Sequence, residues 1–205
     1  MNFRAVGNRC AVDFEDLRLP INRQKALQIL KQKGFHSIPF TGKTIVSLAR
    51  EQIRTSRYRR GASIQEAPFI VDCSSFVKWI YGQRGMWLPR HSISQRDYCP
   101  IAVESNDVRA GDLVFTTGKK NYFWDNPDDS VGHVGIATGE GAVIHAANSK
   151  LDVIESDWDD FIKEPRGIKR MIPNEENVVT IEFPDGKIIE DSLQFRWTIL
   201  QNCQV

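Results

Sequence analysis

The 205-residue sequence predicts an α+β fold in which helices precede a mainly antiparallel β-sheet. Two observations carry this prediction. Apolar residues recur at helical spacing in the first half of the chain, and short apolar runs separated by turn residues follow in the second half. The length and the 41% content of hydrophobic residues suit one globular domain with short additions.

Three helices are expected before the sheet. Each follows a residue whose side chain can accept a hydrogen bond from the first helical turn. The predicted helices run from Asn22 to about residue 33, from Thr41 to about residue 57, and from Asp72 to between residues 82 and 85. A shorter helical piece is expected around residues 94–95.

The strands are expected to form an antiparallel sheet that includes two hairpins. Gly139-Glu140-Gly141 is a strong turn signal between two apolar runs, and Pro184-Asp185-Gly186 predicts a second hairpin at the C-terminus. A polar loop containing aromatic residues occupies 116–130, and loops of this length are usually functional or disordered. The predicted strands cover 108–115, 133–138, 142–147, 153–154, 167–172, 178–183 and 194–200.

Cysteine usage and hydropathy restrict the class of protein. Cys10, Cys73, Cys99 and Cys203 lie far apart, which argues against a disulfide framework and against a structural metal, so no metal or other cofactor is expected. No apolar run approaches ~20 residues, so no membrane span is expected. The first ten residues lack the apolar region of a secretory signal. We therefore expect a cytoplasmic location, or delivery by a phage or a non-classical secretion route.

Basic residues are concentrated near the N-terminus, where residues 1–60 hold thirteen Lys or Arg against four Asp or Glu. A dense basic patch can bind an anionic polymer such as nucleic acid or cell wall, but it is more often a solvated surface or pairs with acidic segments of the same chain. The repeated aromatic residues of a nucleic-acid platform are missing, so nucleic acid is not expected as a partner. The patch consists of Arg50, Arg54, Arg57, Arg59 and Arg60.

Cys73 is the first candidate for chemistry, because it follows the capping residue Asp72 and opens an apolar helical stretch. Free N–H groups and the helix dipole favour a thiolate at such a position, and can lower a cysteine pKa from about 8.5 into the range of about 3.5–7.5. The alternative is a buried structural cysteine. A nucleophile also needs a base.

Two of the four histidines, His133 and His145, lie on the predicted hairpin. If residues 139–141 form a three-residue loop, Gly135 faces His145, and His133 lies diagonally next to it on the same sheet face. In that register Cys73 can attack a carbonyl, His133 can remove and return the proton, and His145 can orient the first imidazole. A register of the other parity would separate the two rings. A metal-binding pair and two unrelated histidines are the remaining alternatives.

Five stretches of this sequence, in order, resemble the NlpC-type papain-like cysteine peptidases of bacterial cell-wall metabolism. The twelve-residue separation of the two histidines is also similar to that family, and the resemblance covers about residues 41–172. The matching stretches are Asp72-Cys73-Ser74-Ser75-Phe76-Val77, Leu88-Pro89-Arg90-His91-Ser92 with Gln95, Gly111-Asp112-Leu113-Val114-Phe115, Gly132-His133-Val134-Gly135-Ile136, and Val143-Ile144-His145-Ala146.

The resemblance implies a papain-like fold, with the nucleophile helix packed on the antiparallel sheet. It implies a triad of Cys73, His133 and His145. A tyrosine that lines the site and can assist the oxyanion matches Tyr58, and the residues that help hold the free N-terminal amine of a stem peptide match Asp72 and Ser74. The expected organisation is an N-terminal helical extension over 1–40, a papain-like peptidase domain over 41–172, and a C-terminal β-hairpin extension over 173–205.

The activity implied by the resemblance is hydrolysis of γ-D-glutamyl–diamino acid bonds, or related amides, in peptidoglycan stem peptides through a thioester on Cys73. Peptidoglycan fragments would then be the partner. A thiol acyltransferase or deamidase of the same fold and an inactive wall-binding domain are the alternatives. Ser75, where the family usually has glycine, and the long loop over 116–130 depart from the family pattern.

Overall fold

The structure is a computed structural model that describes residues 2–203. The helices are α1 (Arg23–Gln32), α2 (Gly42–Glu51), α3 (Cys73–Gly82), α4 (Ser92–Tyr98), α5 (Trp158–Phe161) and α6 (Leu193–Leu200). The strands are β1 (Arg9–Asp13), β2 (His36–Pro39), β3 (Arg57–Tyr58), β4 (Ile70–Val71), β5 (Ile101–Ala102), β6 (Leu113–Thr116), β7 (His133–Ala137), β8 (Ala142–Asn148), β9 (Asp152–Asp157), β10 (Pro165–Arg170) and β11 (Val178–Glu182).

The described residues divide into two compact units. One comprises Thr41–Ile80 and Leu88–Pro173, and the other comprises residues 2–40, 81–87 and 174–203. This division corrects the prediction of two separate extensions, because residues from both ends of the chain belong to one unit. The N-terminal stretch is also not purely helical, since it contributes β1 and β2 as well as α1.

The unit built from the chain ends contains a three-stranded antiparallel sheet in the order β1-β11-β2. Three aromatic rings pack together in its core: Phe35 lies 6.4 Å from Phe183 and 5.6 Å from Phe195 between ring centroids, and Phe183 lies 5.9 Å from Phe195. All three side chains are buried. They join a residue after α1 to the C-terminal segment, which explains why the two ends fold together.

The predicted C-terminal hairpin is wrong, because residues 193–200 form the helix α6 instead of a strand. Aromatic and β-branched residues in this stretch favour a strand. The buried residues are Phe195 and Ile199, however, which are four positions apart and lie on one face of a helix. Burial of that face outweighs the local preference, and β11 pairs with β1 and β2.

Both early helices begin where the sequence predicts. The Asn22 side chain accepts a hydrogen bond from Lys25 N at 2.9 Å, and Thr41 and Thr44 form a reciprocal capping box. α2 ends at Glu51, six residues before its predicted end. Residues Arg57–Tyr58 pair as β3 with β4 in parallel, so this segment is extended.

The larger unit contains a six-stranded sheet in the order β5-β10-β6-β7-β8-β9. All of its adjacent strands are antiparallel. Its sheet core buries an apolar cluster that includes Val114, Val143 and Phe161. The predicted α+β class is therefore confirmed, with α3 preceding the sheet along the chain.

The β7–β8 hairpin has the register that the three-residue loop predicts. Ile136 pairs with Ile144 and Ala137 with Val143, and Thr138 N donates to Ala142 O at 2.9 Å. Because the side chains of a strand alternate between faces, this parity places His133 and His145 on the same face of the sheet.

Two arginines of the basic patch form ion pairs within this unit. Arg50 contacts Glu155 at 2.9 Å and Glu140 at 3.2 Å, and Arg59 contacts Glu66. Part of the patch is thus neutralised by acidic residues of the same chain. None of the helices formed by residues 2–203 has the length and apolar character needed to cross a bilayer.

Candidate active site

A cavity of about 560 Å³ opens over the start of α3 and the start of β7. Cys73 and His133 both line it, so the proposed nucleophile and base face the same space. The other predicted site residues at its wall are Tyr58, Asp72 and Ser74, joined by Arg60, Arg90, His91, Lys119, Lys120 and Tyr122.

The start of α3 is held by a reciprocal cap. Asp72 Oδ1 accepts a hydrogen bond from Ser75 N at 2.8 Å, and Ser75 Oγ accepts one from Asp72 N at 2.8 Å. Ser75 is fully buried. The serine that replaces the usual glycine therefore completes the cap of the nucleophile helix and fixes the orientation of Cys73 in its first turn.

Burial raises the pKa of the Cys73 thiol to about 11, and the nearby Asp72 carboxylate acts in the same direction. The backbone N–H groups of Val134 and Ser74 favour the thiolate but do not outweigh burial. The expected lowering of this pKa at the helix start is therefore wrong for the free protein. Cys73 rests as a neutral thiol and needs a base at the moment of attack.

His133 and His145 form a hydrogen-bonded pair, with His133 Nε2 2.8 Å from His145 Nδ1 and the ring planes nearly perpendicular at 84°. His145 Nε2 lies 3.0 Å from Ser156 Oγ on β9. If His133 Nε2 carries hydrogen and donates to His145 Nδ1, then His145 donates from Nε2 to the serine. This chain of donors leaves His133 Nδ1 as the atom that can accept a proton.

An apolar wall lies beside the histidine pair. The Phe161 ring centroid is 5.5 Å from His133 and 4.7 Å from His145. A Cβ at Gly135 would lie 3.0 Å from Phe161 Cζ and would clash with Val143, so only glycine leaves room for this ring. Burial lowers the pKa of His133 to about 4 and that of His145 to about 3, and both rings are neutral at pH 7.

Tyr58 reaches the cavity because β3 pairs with β4. Its backbone lies opposite Val71, two residues before the nucleophile, and Tyr58 N donates to Asp152 Oδ1 at 2.7 Å. Burial raises the pKa of the phenol, and the neighbouring Cys73 and Asp72 add to this effect. The hydroxyl therefore stays protonated and can donate a hydrogen bond into the cavity.

Asp72 and Ser74 are both bound by Arg90, to which the sequence analysis assigned no role. Arg90 Nη1 lies 3.1 Å from Asp72 Oδ1 and 2.8 Å from Ser74 Oγ, while Nη2 contacts Asp72 Oδ2 and donates to Ala62 O. Burial alone would raise the pKa of Asp72, but the hydrogen bonds from Arg90 and Ser75 lower it. Asp72 is a paired carboxylate at neutral pH.

Three supporting residues were missed by sequence reasoning: Arg90, Ser156 and Phe161. Arg90 stood in a matching stretch, but nothing local to it indicates that its partner is a carboxylate eighteen positions earlier. A signal for Phe161 did exist, because a glycine in the middle of a strand, here Gly135, indicates that another group packs closely against it. Among residues 2–203 no group of three His, Cys, Asp or Glu is arranged to hold a metal ion.

A half-buried cysteine at a helix start shares a cavity with His133, whose ring is hydrogen-bonded to His145 on the neighbouring strand, and this arrangement defines a papain-like class of site. The chain belongs to the NlpC/P60 family, whose pattern matches residues 55–167.

Named relatives agree with this membership. The chain is 38% identical over 121 residues to a probable endopeptidase of Corynebacterium glutamicum, covering 58% of this chain and 49% of that protein. It is 32% identical over 107 residues to a γ-D-glutamyl-L-lysine dipeptidyl-peptidase of Bacillus cereus, covering 51% of this chain and 30% of that protein. The match thus spans about half the length of these relatives or less.

Solved structures show the same fold. An NlpC/P60 family protein from Bacillus cereus superposes with a TM-score of 0.56 at 24% identity, covering 66% of this chain and 42% of that chain. The NlpC/p60 domain of the peptidoglycan hydrolase SagA superposes with a TM-score of 0.52 at 27% identity, covering 64% of this chain and all of that chain. The papain-like fold predicted from the sequence is confirmed.

Proposed function

We propose that this protein is a cysteine endopeptidase that hydrolyses γ-D-glutamyl–diamino acid bonds in peptidoglycan stem peptides. The observation that carries the proposal is the hydrogen-bonded pair of His133 and His145 at the edge of the cavity that exposes Cys73. Relatives named as endopeptidases, and one named for γ-D-glutamyl-L-lysine, support the choice of bond.

In the first half of the reaction, Cys73 Sγ attacks the scissile carbonyl carbon as its proton passes to His133 Nδ1. The carbonyl oxygen becomes an oxyanion, and in our proposal the backbone N–H groups at the start of α3 and the Tyr58 hydroxyl stabilise it. The tetrahedral intermediate collapses, the C–N bond breaks, and the leaving amine takes the proton from His133. The acyl group remains on Cys73 as a thioester.

In the second half, a water molecule attacks the thioester while His133 accepts one of its protons. The C–S bond then breaks, the proton returns to the sulfur, and the γ-glutamyl carboxylic acid leaves. His145 holds the His133 ring and stabilises the imidazolium that forms in each half. Because both imidazoles are neutral at rest, His133 is able to accept the proton of Cys73 during the attack.

The remaining polar groups of the cavity suit an anionic stem peptide. Arg60, Lys119 and Lys120 line it, whereas the charge of Asp72 is offset by Arg90. Stem peptides carry carboxylates on the D-glutamyl residue and at the C-terminus, and these charges match the basic wall. In our proposal Asp72 and Ser74 bind the N-terminal part of the stem.

The direct test is incubation of the protein with purified muropeptides, with products identified by mass spectrometry. We expect the unaltered protein to cleave the stem after the γ-D-glutamyl residue and give two fragments. The Cys73→Ala variant should give no fragments. Cys99→Ala is the matched control, because that thiol is buried away from the cavity, and it should cleave normally. No cleavage by the unaltered protein, or equal cleavage by Cys73→Ala, would overturn the proposal.

Activity should persist to unusually low pH. His133 can accept the Cys73 proton only while it is neutral, and burial lowers its pKa to about 4. We therefore expect kcat/KM for stem-peptide cleavage to fall on the acidic side with a midpoint near pH 4, well below the value of about 6.5 for an ordinary histidine. A midpoint at 6.5 would contradict the neutral resting pair.

This profile needs a folding control. The folded-state pKa values of both histidines lie below the unfolded value, so the unfolded chain binds their protons first as the pH falls. Their contribution to stability is complete above about pH 6.5 and is lost as the pH falls toward 4 and 3. Circular dichroism at each pH separates loss of the fold from loss of the neutral base.

A further inference from the structure

Three consecutive aromatic residues project from the long loop that departs from the family pattern. Tyr122 is 45% exposed, Phe123 50% and Trp124 64%. Tyr122 lines the active-site cavity, so this group, which we call the aromatic platform, is continuous with the cleft. Contiguous exposed apolar patches rimmed by polar residues mark interaction sites or ligand-binding grooves.

The aromatic platform is held in place by a buried arginine. Arg96 contacts Asp129 through two bonds of 2.7 and 2.8 Å and Asp97 at 3.1 Å, and Trp124 Nε1 donates to Asp97 Oδ2 at 2.7 Å. Trp124 is thus anchored by its edge, with much of the indole exposed. A ring fixed in advance loses little conformational entropy when it binds a ligand.

The loop is also paired with the segment that leads into β7, the strand that carries His133. Tyr122 exchanges two backbone hydrogen bonds with Val131, at 3.0 and 2.8 Å. A Cβ at Gly132 would lie 2.6 Å from Lys120 O and would also meet Asn121, so glycine is needed for the loop to pack there. The platform therefore has a defined position next to the catalytic residues.

Tyr122 of the platform lies near the part of the cleft that contains Arg90 and its partners. Arg90 binds Asp72 and Ser74, His91 follows it in the chain, and the His91 ring lies 5.7 Å from that of Tyr122. In the proposed function, Asp72 and Ser74 bind the N-terminal part of the stem. A group joined to that N-terminus would then lie toward the aromatic platform.

In peptidoglycan, the N-terminus of the stem is joined through an amide to an amino sugar of the glycan strand. A sugar ring presents apolar C–H faces for aromatic rings and hydroxyl groups for polar neighbours. Residues 121–129 carry three aspartates and two asparagines but no lysine or arginine. This composition suits a neutral sugar and disfavours an anionic lipid surface.

The pairing of Asp72 agrees with a substrate whose N-terminus is acylated. A free amine would be attracted to an unpaired carboxylate, but Arg90 already binds both Asp72 oxygens and Ser74 Oγ. A stem that still carries its sugar brings an uncharged amide to this position. The pairing of the Asp72 charge with Arg90 and the exposed rings of the aromatic platform therefore both favour a stem that still carries its sugar.

We propose that the aromatic platform is a saccharide subsite, so that the enzyme prefers stem peptides still attached to the glycan over stems that have been released from it. This inference rests on the proposed function and specifies its substrate. Tyr122 would guide the chain out of the cleft, and Trp124 would stack on a sugar ring.

The test compares three substrates with the same stem: a disaccharide-peptide, the N-acetylated peptide, and the peptide with a free amine. The acetylated peptide separates the effect of the sugar from that of the amine. We expect kcat/KM to be about tenfold higher for the disaccharide-peptide than for the acetylated peptide, the size of one good aromatic contact. Trp124→Ala should remove most of this difference through a higher KM and leave the acetylated peptide unaffected.

Two further variants make the result specific. Asp97→Asn keeps the Trp124 ring but weakens its anchor, and should lower the sugar preference partially. Phe69→Ala removes an aromatic ring that is 75% exposed and does not line the cavity, and should change nothing.

Equal kcat/KM for the disaccharide and acetylated peptides, or an equal loss by Trp124→Ala on all three substrates, would overturn the saccharide subsite. So would Trp124-dependent binding to anionic vesicles without a sugar preference. If none of the three substrates is cleaved, the proposed function itself fails, whereas cleavage of the sugar-free peptides without preference leaves that function standing.

Discussion

Replacing His133 with glutamine is expected to lower kcat for stem-peptide cleavage by at least about 10³-fold, because the thiol then has no base. Burial holds the pKa of Cys73 near 11, so almost no thiolate exists at pH 7 without proton transfer. Glutamine keeps a polar side chain at the same place on β7 but cannot take the proton. The measurement is single-turnover cleavage of a defined stem peptide, with thermal unfolding to show that the variant is folded.

His145 provides the matched comparison, since it acts through His133. His145→Ala should lower kcat less than His133→Gln and leave KM nearly unchanged, because the His133 N–H loses its acceptor at 2.8 Å. His145→Asn offers an amide oxygen to that N–H, and should restore part of kcat. Equal activity of His145→Ala and the unaltered protein, or no loss with His133→Gln, would contradict the assigned roles.

Replacing Arg90 with alanine is expected to lower the free energy of unfolding by about 3 kcal/mol, because it leaves the buried Asp72 carboxylate without its cation. The loss should lie at the lower end of the range for broken buried pairs, since Gly61 N and Ser75 N still donate to Asp72. Urea denaturation at pH 7 measures it. Activity should fall as well, because Asp72 caps the nucleophile helix.

Two variants test whether the charge pair is responsible. Arg59→Ala removes an arginine whose partner, Glu66, lies at the surface, and it should scarcely change the unfolding curve. Arg90→Met combined with Asp72→Asn removes both charges, and should be less destabilising than Arg90→Ala alone. If Arg90→Ala unfolds at the same urea concentration as Arg59→Ala, the pair does not stabilise the site.

Much of the site could be predicted because its signals are local. A cap residue and helical spacing place Cys73 in the first turn of α3, and a three-residue turn sets the parity that brings His133 beside His145. Such signals act over a few residues. The same local approach failed for residues 193–200, where β-branched and aromatic residues indicated a strand but burial of Phe195 and Ile199 selected a helix.

The fold class, the nucleophile helix and the histidine hairpin of this NlpC/P60 family member thus follow from local sequence patterns. The electrostatic state of the site, by contrast, depends on tertiary packing. Burial keeps the Cys73 thiol neutral, Phe161 covers the two imidazoles and burial keeps them neutral as well, and Arg90 pairs with Asp72 and holds it as a carboxylate. The charge state of each group depends on which side chains, distant in the sequence, pack around it and exclude water. Desolvation of that kind is a property of packed surfaces, which no short stretch of sequence contains.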